Sequence, residues 1–174
     1  MKNLIKSFSI LFLLSITLLS NAQRVIPPTD SLHITGQVKL PIHYSLSDLD
    51  QLPKTKLPDQ IIYNQKGEIK DTITRLEGVP LKTILEKVEF QVEKPKELNE
   101  FYLVFTASDG YKVVFSWNEI YNTVVGDQCY IITAADGKMM SEMQDHILFI
   151  SGGDIKTGRR HVRSLDHIEV KRVE

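Results

Sequence analysis

The stretch Ser108–Glu119, SDGYKVVFSWNE, contains two adjacent structural signals. Asp109-Gly110 is a residue pair that favours positive φ angles in a tight hairpin turn, and apolar runs lie on both sides of it. Ser116 followed by Glu119 has the spacing of a capping box, in which each side chain bonds the backbone N–H of the other residue at a helix start. The stretch therefore predicts a β-hairpin whose second strand passes directly into a short helix.

Further strand and helix signals lie on both sides of this hairpin. Besides Phe101–Ala107 and Tyr111–Phe115, the predicted strands are Leu32–Leu40, Ile61–Tyr63, Ile69–Thr74, Cys129–Ala135, Lys138–Met140, Ile147–Ile150 and His167–Val173. The charges in His167–Val173 favour a closing strand at a sheet edge. Short helices are predicted after the Ser45/Asp48 capping box and from Pro80 onward. Many strands with a few short helices indicate an α+β domain.

Residues 1–22 have the composition of a cleavable signal peptide. Lys2 and Lys6 form a short basic region, Phe8–Leu19 is apolar and uncharged, and small residues precede a cleavage site after Ala22. The alternative is a membrane anchor, but this apolar segment is shorter than the ~20 residues of a spanning helix. We expect a periplasmic or secreted protein with no membrane span after cleavage, an extended tail over residues 23–31 and a single domain over residues 32–174.

Charge and cysteine content argue against two features: a nucleic-acid partner and an internal disulfide. The chain has 21 Lys and Arg against 22 Asp and Glu, a balance that argues against a nucleic-acid partner. Its single cysteine, Cys129, excludes an internal disulfide and lies in a nearly continuous apolar run. We interpret Cys129 as a buried core residue, the alternative being a reactive thiol or a metal ligand.

The stretch Gly158–Leu165, GRRHVRSL, concentrates basic side chains near the end of the chain. Arg159, Arg160, His161 and Arg163 lie within five consecutive positions. Guanidinium groups form permanently charged, bidentate contacts with phosphate-like oxygens. The stretch therefore suggests an anion site, and a solvated surface loop is the alternative interpretation.

Taken in order, these motifs resemble the oxidoreductase molybdopterin-binding domain, the fold of the sulfite oxidase family. The matching pieces are L-x-I-x-G-x-V from Leu32, S-L-x-D-L-x-x-L-P at Ser45–Pro53, G-V-P-L-x-x-I-L at Gly78–Leu85, D-G-Y-x-x-x-F-S at Asp109–Ser116, A-D-G-K at Ala135–Lys138 and G-x-R-x-V-R-x-L-x-x-I-E-V from Gly158. The resemblance covers nearly the whole chain after residue 31. It implies the sulfite-oxidase-type fold and molybdopterin as the related cofactor.

One feature of that family is missing here. Its active members bind molybdenum through a cysteine thiolate between the L-x-x-L-P helix and the G-V-P-L helix. The corresponding interval, Lys54–Glu77, contains no cysteine, and Tyr63-Asn64 stands approximately at that place. The leader also lacks the twin arginines of proteins exported with a bound cofactor. We therefore predict no catalytic residue and no metal ligand.

The resemblance also implies a set of cofactor-binding residues. Arg160 and Arg163 match the positions that hold the cofactor's anionic end, and the rest of the predicted set is Arg159, His161, Tyr63 and Asn64. The leading hypothesis is an exported, non-catalytic binding module for a pterin-like or other anionic ligand. The alternatives are a molybdopterin-dependent oxidoreductase with atypical metal ligation and a separate redox partner, and a ligand-free domain that binds a periplasmic redox or transport partner.

Overall fold

The computed structural model describes residues 26–173. The predicted signal peptide lies outside the described residues, as do residues 23–25 of the predicted tail. Within the described part, no helix is long and apolar enough to cross a membrane.

The described residues form short strands connected by turns and a few short helices. The strands are β1 (Ser31–Gly36), β2 (Ile42–Ser45), β3 (Thr55–Leu57), β4 (Gln60–Tyr63), β5 (Ile69–Ile73), β6 (Leu76–Pro80), β7 (Phe101–Ala107), β8 (Lys112–Ser116), β9 (Cys129–Ala135), β10 (Lys138–Met139), β11 (Leu148–Ser151) and β12 (Leu165–Arg172). The α-helices are α1 (Leu46–Gln51), α2 (Leu81–Leu85) and α3 (Trp117–Tyr121), and 3-10 helices cover Pro95–Glu100, Gly126–Gln128, Met140–Glu142 and Thr157–Arg159. This content is compatible with the predicted α+β class.

The strands form two larger sheets and one separate hairpin. The first sheet has the order β2-β1-β12-β7-β8, with β1 and β12 parallel and the other pairs antiparallel. The second has the order β10-β9-β6-β3, and β11 also pairs with β9. Strands β4 and β5 form the hairpin. Phe149 of β11 contacts Phe105 and Phe115 of the first sheet, with ring centroids 4.7 and 5.5 Å apart, so the core lies between the two larger sheets.

The hairpin predicted from SDGYKVVFSWNE forms, but its turn differs from the expected one. Strands β7 and β8 pair in the predicted order, and the Asp109 carboxylate accepts a hydrogen bond from the Tyr111 N–H at 2.9 Å. Of the two turn residues only Gly110 has a positive φ, of 85°. This is the geometry of a longer loop that ends on a left-handed glycine. The two-residue turn with positive φ at both positions occurs instead at Asp136 (52°) and Gly137 (82°).

The two predicted helix caps have different outcomes. At α1 the capping box is complete, because the Ser45 hydroxyl accepts from the Asp48 N–H and the Asp48 carboxylate accepts from the Ser45 N–H at 2.8 Å. At α3 the Ser116 hydroxyl accepts from the Glu119 N–H at 3.0 Å. The Glu119 carboxylate, however, pairs with a distant arginine, described below. Only half of the second capping box is therefore formed.

Four strands depart from the sequence predictions: β2, β3 and β6 were not predicted, and β12 lies at another position in its sheet. The expectation of an edge position for the last strand is wrong, because β12 lies in the centre of the first sheet. Leu165, Ile168 and Val170 of β12 are fully buried, while the charged residues between them point to the outer face of the sheet. A central strand can carry such charges because one face of the sheet is solvated. Strand β6 was not predicted, since its Gly78 and Pro80 disfavour strands; Pro80 closes β6 and is the N-cap of α2.

Candidate functional site

The basic segment of the sequence is divided between two environments. Val162 exchanges two backbone hydrogen bonds with Phe149, at 2.9 and 3.0 Å, and its side chain is fully buried. The residues on either side of Val162, His161 and Arg163, line a cleft. Arg160 is not among the residues that line this cleft. Extended backbone alternates its side chains, so neighbours in the sequence face different surroundings.

The cleft has a volume of about 380 Å³ and is named here the His161 cleft. Four segments line it: Ile62, Lys70, Asp71 and Ile73 of the β4–β5 hairpin, Ala135, Asp136 and Lys138 around the β9–β10 turn, Met143, Gln144, Asp145 and Leu148 before and in β11, and finally His161 and Arg163. Small-molecule sites in proteins have volumes of roughly 300–1,000 Å³. The cleft is therefore large enough for a compact ligand.

His161 brings a buried polar atom without a hydrogen-bond partner to the cleft. Its Nε2 atom is buried and has no hydrogen-bond partner within the described part of the chain. Burial lowers the pKa of His161 to about 4, against the opposing effect of the Asp145 carboxylate. The imidazole is consequently neutral at neutral pH. A buried polar atom without a partner costs about 1–3 kcal/mol, which a bound heteroatom at hydrogen-bond distance would recover.

Arg163 carries a positive charge at the edge of the cleft. Its Nε and Nη2 atoms donate to the two carboxylate oxygens of Asp145, at 2.7 and 3.0 Å. This bidentate pair raises the pKa of Arg163 above its usual range. The Arg163 side chain remains 37% exposed, so it is reachable from the solvent side of the cleft.

The formal charges of the cleft residues cancel. Lys70 and Lys138 add two ammonium groups to Arg163, while Asp71 and Asp136 add two carboxylates to Asp145. The Asp136 carboxylate accepts from the Thr74 N–H and hydroxyl, at 2.8 and 2.9 Å, and thereby supports the turn. A cleft with mixed charge suits a small polar ligand better than one with a high negative charge.

Arg160, which the sequence predicts to contact the anionic end of a ligand, forms ion pairs with two carboxylates. Its Nε donates to Asp154 at 2.7 Å, its Nη2 also bonds Asp154, and its Nη1 donates to Glu119 at 2.5 Å. The guanidinium carbon lies 4.0 Å from the centre of the Phe115 ring. The two carboxylates raise the pKa of Arg160, and its role in holding a ligand stays a prediction.

The other predicted residues lie near the basic segment but do not line the His161 cleft. The Arg159 side chain is exposed, and its carbonyl accepts from the Tyr111 hydroxyl at 2.5 Å. The Tyr63 N–H donates to the Thr157 hydroxyl at 3.1 Å. The Asn64 carboxamide oxygen accepts from two backbone N–H groups of the β4–β5 turn, at 2.8 and 3.0 Å. Tyr63 therefore joins the hairpin to the Thr157–Arg159 helix, and Asn64 closes the hairpin.

Sequence reasoning missed most of the cleft. Asp145 stands beside His146 in the sequence, yet Asp145 pairs with Arg163, and the His146 Nδ1 lies 2.7 Å from the Asp30 carboxylate. Lys138 stands in the A-D-G-K turn, and that motif was the one available signal for this side of the cleft. Lys70 lies in an ordinary charged strand, where nothing distinguishes it from other surface lysines.

The donor set does not fit a thiolate-bound molybdenum cofactor. No cysteine lines the His161 cleft. The Cys129 thiol is fully buried in β9, donates to the Val125 carbonyl at 3.3 Å, and has its pKa raised to about 11 by burial. In residues 26–173, no group of three or more His, Cys, Asp or Glu side chains is placed to hold a metal ion. Burial of Cys129 thus agrees with its prediction as a core residue.

Comparison with known proteins shows a related fold. No protein family matches the sequence, and no curated protein does. Among solved structures, the sulfane dehydrogenase SoxCD from Paracoccus pantotrophus matches with a TM-score of 0.59 and 17% identity, over 83% of this chain and 39% of that chain. This chain therefore spans about two fifths of the length of the structure that it matches. The chain has a fold related to that of a sulfite-oxidase-type protein, and at this level the comparison supports the resemblance drawn from the sequence motifs.

Proposed function

We propose that this chain is a non-catalytic binding module that holds a small polar ligand, pterin-like or otherwise anionic, in the His161 cleft. The observation that carries the proposal is the buried Nε2 atom of His161, which has no partner among the described residues. The neutral imidazole can donate or accept one hydrogen bond there without adding charge. A ring heteroatom of a ligand would satisfy it.

The surrounding charges indicate the chemistry of the ligand. Lys70 and Lys138 supply cationic groups for a single anionic substituent, and Asp71 offers a carboxylate that accepts from ring N–H groups. A pterin-like ring carries both kinds of group, since its amide and amino edge donates and accepts. We place the anionic end of the ligand toward the lysines, because the Arg163 guanidinium already pairs with Asp145.

The non-catalytic part of the proposal rests on the missing thiolate. A soft anionic sulfur suits molybdenum, whereas the sulfur that lines the cleft is the neutral thioether of Met143. The distant likeness to a molybdopterin enzyme concerns the fold alone. The thiolate that would bind molybdenum is absent from the cleft. A metal-free ligand is consistent with this donor set.

The proposal also includes export of the chain by means of a cleavable leader. It rests on residues 1–22, whose basic start, apolar centre and small residues before position 23 are typical of a cleavable leader. Edman or mass-spectrometric sequencing of the mature N-terminus, after expression in a bacterial host, would begin at Gln23 if this part is right. A retained Met1 in the protein that reaches the periplasm would contradict it.

A thermal-shift experiment tests ligand binding. The probes are pterin, pterin-6-carboxylate and inorganic phosphate, and a bound ligand at 100 times its Kd stabilises the fold by about 2.7 kcal/mol. We expect stabilisation by a pterin in the wild-type chain, loss of it in His161→Gln, and retention in the matched control Arg159→Gln, whose side chain is exposed and outside the cleft. No stabilisation by any probe, or equal stabilisation in His161→Gln, would overturn the proposed site.

Metal content separates the module from an oxidoreductase. The chain is purified from a host that makes the molybdenum cofactor, and molybdenum and pterin are quantified together. Pterin without metal supports the proposal. One molybdenum and one pterin per chain would contradict it and favour the oxidoreductase with atypical ligation.

A further inference from the structure

Three histidines from three different strands form a row across the first sheet. His33 of β1 is the register partner of His43 in β2 and of His167 in β12. The neighbours of His33 in β1, Leu32 and Ile34, are fully buried, so the histidine side chain lies on the opposite, outer face. His43, His33 and His167 are named here the histidine row.

The rings in the row are close to one another. The centroids of His33 and His43 are 4.8 Å apart with the rings tilted by 59°, and those of His33 and His167 are 6.4 Å apart and nearly parallel. Two imidazole nitrogens that share one ion at about 2.0–2.1 Å each lie no more than about 4.2 Å apart. The 4.8 Å between the centroids of the first pair is short enough for side-chain rotation to bring one nitrogen of each ring within this limit.

We propose that His33 and His43 bind one divalent transition-metal ion, Cu²⁺ or Zn²⁺, on the outer face of the first sheet. Neutral imidazole is a ligand that suits both ions. Among the described residues, no group of three or more His, Cys, Asp or Glu side chains is placed to hold a metal ion. The remaining coordination positions are therefore filled by water molecules or, after rotation of its ring, by His167. Cross-strand pairing holds the two ligands at a fixed separation, which lowers the entropy cost of binding.

Hydroxyl groups on the same face orient two of the rings. The Ser31 hydroxyl lies 3.1 Å from the Nε2 atom of His33, and the Thr35 hydroxyl lies 2.7 Å from the Nε2 atom of His167. When Nε2–H donates to such an oxygen, the tautomer is set and the lone pair is on Nδ1. Metal-binding histidines in proteins commonly have an outer partner of this kind.

The row is independent of the His161 cleft. None of its three histidines lines the cleft, and His161 and His146 are not among its members. Loss of metal binding therefore leaves the proposed ligand site untouched, and failure of that site leaves this inference standing.

Metal titration of the full chain, produced without a histidine tag, tests the proposal. Binding of CuSO₄ and of ZnSO₄ is measured at neutral pH by isothermal titration calorimetry. We expect about one ion per chain, with Cu²⁺ bound more tightly than Zn²⁺ as the general order of affinities requires. His33→Gln and His43→Gln each weaken binding by more than about tenfold, because a chelate becomes a single ligand. The control His146→Gln removes an imidazole elsewhere and leaves the affinity unchanged.

A spectroscopic measurement locates the ion and guards against an unfolded variant. Substoichiometric Cu²⁺ broadens NMR signals near it, and we expect the ring signals of His33 and His43 to disappear first, with His167 next. Melting temperatures of the glutamine variants within a few degrees of the wild type show that the fold is retained. Unchanged affinity in folded His33→Gln and His43→Gln, broadening centred on His146 or His161, or no binding of either ion would overturn the site.

Discussion

Glu119 and Arg160 form an ion pair, with the carboxylate oxygen 2.5 Å from the guanidinium nitrogen. In the sequence, Glu119 precedes strand β9 and Arg160 follows strand β11. Glu119 was predicted to return to the Ser116 N–H and complete the helix cap. It leaves that role because a guanidinium held by Asp154 over the Phe115 ring offers a stronger, charged partner. The pair links the start of α3 to the loop after β11.

Removal of Arg160 tests this linkage. Its side chain is only 20% exposed, so Arg160→Ala leaves Asp154 and Glu119 partly buried without their cation. We expect a loss of about 3 kcal/mol in the free energy of unfolding, measured by urea denaturation. The exposed neighbour Arg159→Ala should change stability by less than about 0.5 kcal/mol. Equal effects of the two substitutions would show that the ion pairs contribute nothing specific.

The pH dependence of stability reports on His161. Its pKa is lowered from the usual 6.5 to about 4 in the folded state, so between these values the unfolded chain binds a proton that the folded chain excludes. The free energy of unfolding is therefore highest, as far as His161 is concerned, above about pH 6.5. It decreases as the pH falls toward 4, by up to about 3 kcal/mol. Urea denaturation at several pH values measures it. His161→Gln, which cannot titrate, should flatten this part of the curve; an unchanged curve would contradict the burial of the ring.

Gly158 tests the docking of the β4–β5 hairpin against the basic segment. A Cβ atom at Gly158 would lie 2.4 Å from the Tyr63 carbonyl oxygen, a backbone atom that cannot rotate away. We expect Gly158→Ala to destabilise the fold by about 1–3 kcal/mol in thermal or urea denaturation. At Gly153 the nearest atom is 3.4 Å away, so Gly153→Ala serves as the tolerated control. A stable Gly158→Ala chain would mean that the hairpin is loosely held.

Cys129 should be unreactive in the folded protein. Its thiol is fully buried and its pKa is raised to about 11 by burial, so almost no thiolate exists at neutral pH. Ellman's reagent is expected to label about one thiol per chain in denaturant and essentially none in native buffer. Cys129→Ser provides the blank for both measurements. Rapid labelling of the native protein would revive the reactive-thiol interpretation.

Signals that act over a few residues predicted much of the local structure. The turn at Asp109-Gly110 occurs where the sequence places it, as does the Ser45/Asp48 capping box at α1. Central placement of β12 was not foreseen, because its charges are typical of an edge and its partners β1 and β7 are distant in the chain. The order of the motifs along the chain, more than any one of them, indicated the related fold.

The sequence by itself determined where strands turn and helices begin, because φ preferences and cap hydrogen bonds depend on neighbouring residues. It also identified the basic segment around Arg160 and Arg163 and the lack of a cysteine between Lys54 and Glu77. Only the tertiary structure decided that Arg160 pairs with Asp154 and Glu119 while Arg163 and His161 face a cleft. Pairing and burial depend on which distant segments pack together, and the same fact brings His33, His43 and His167 into one row.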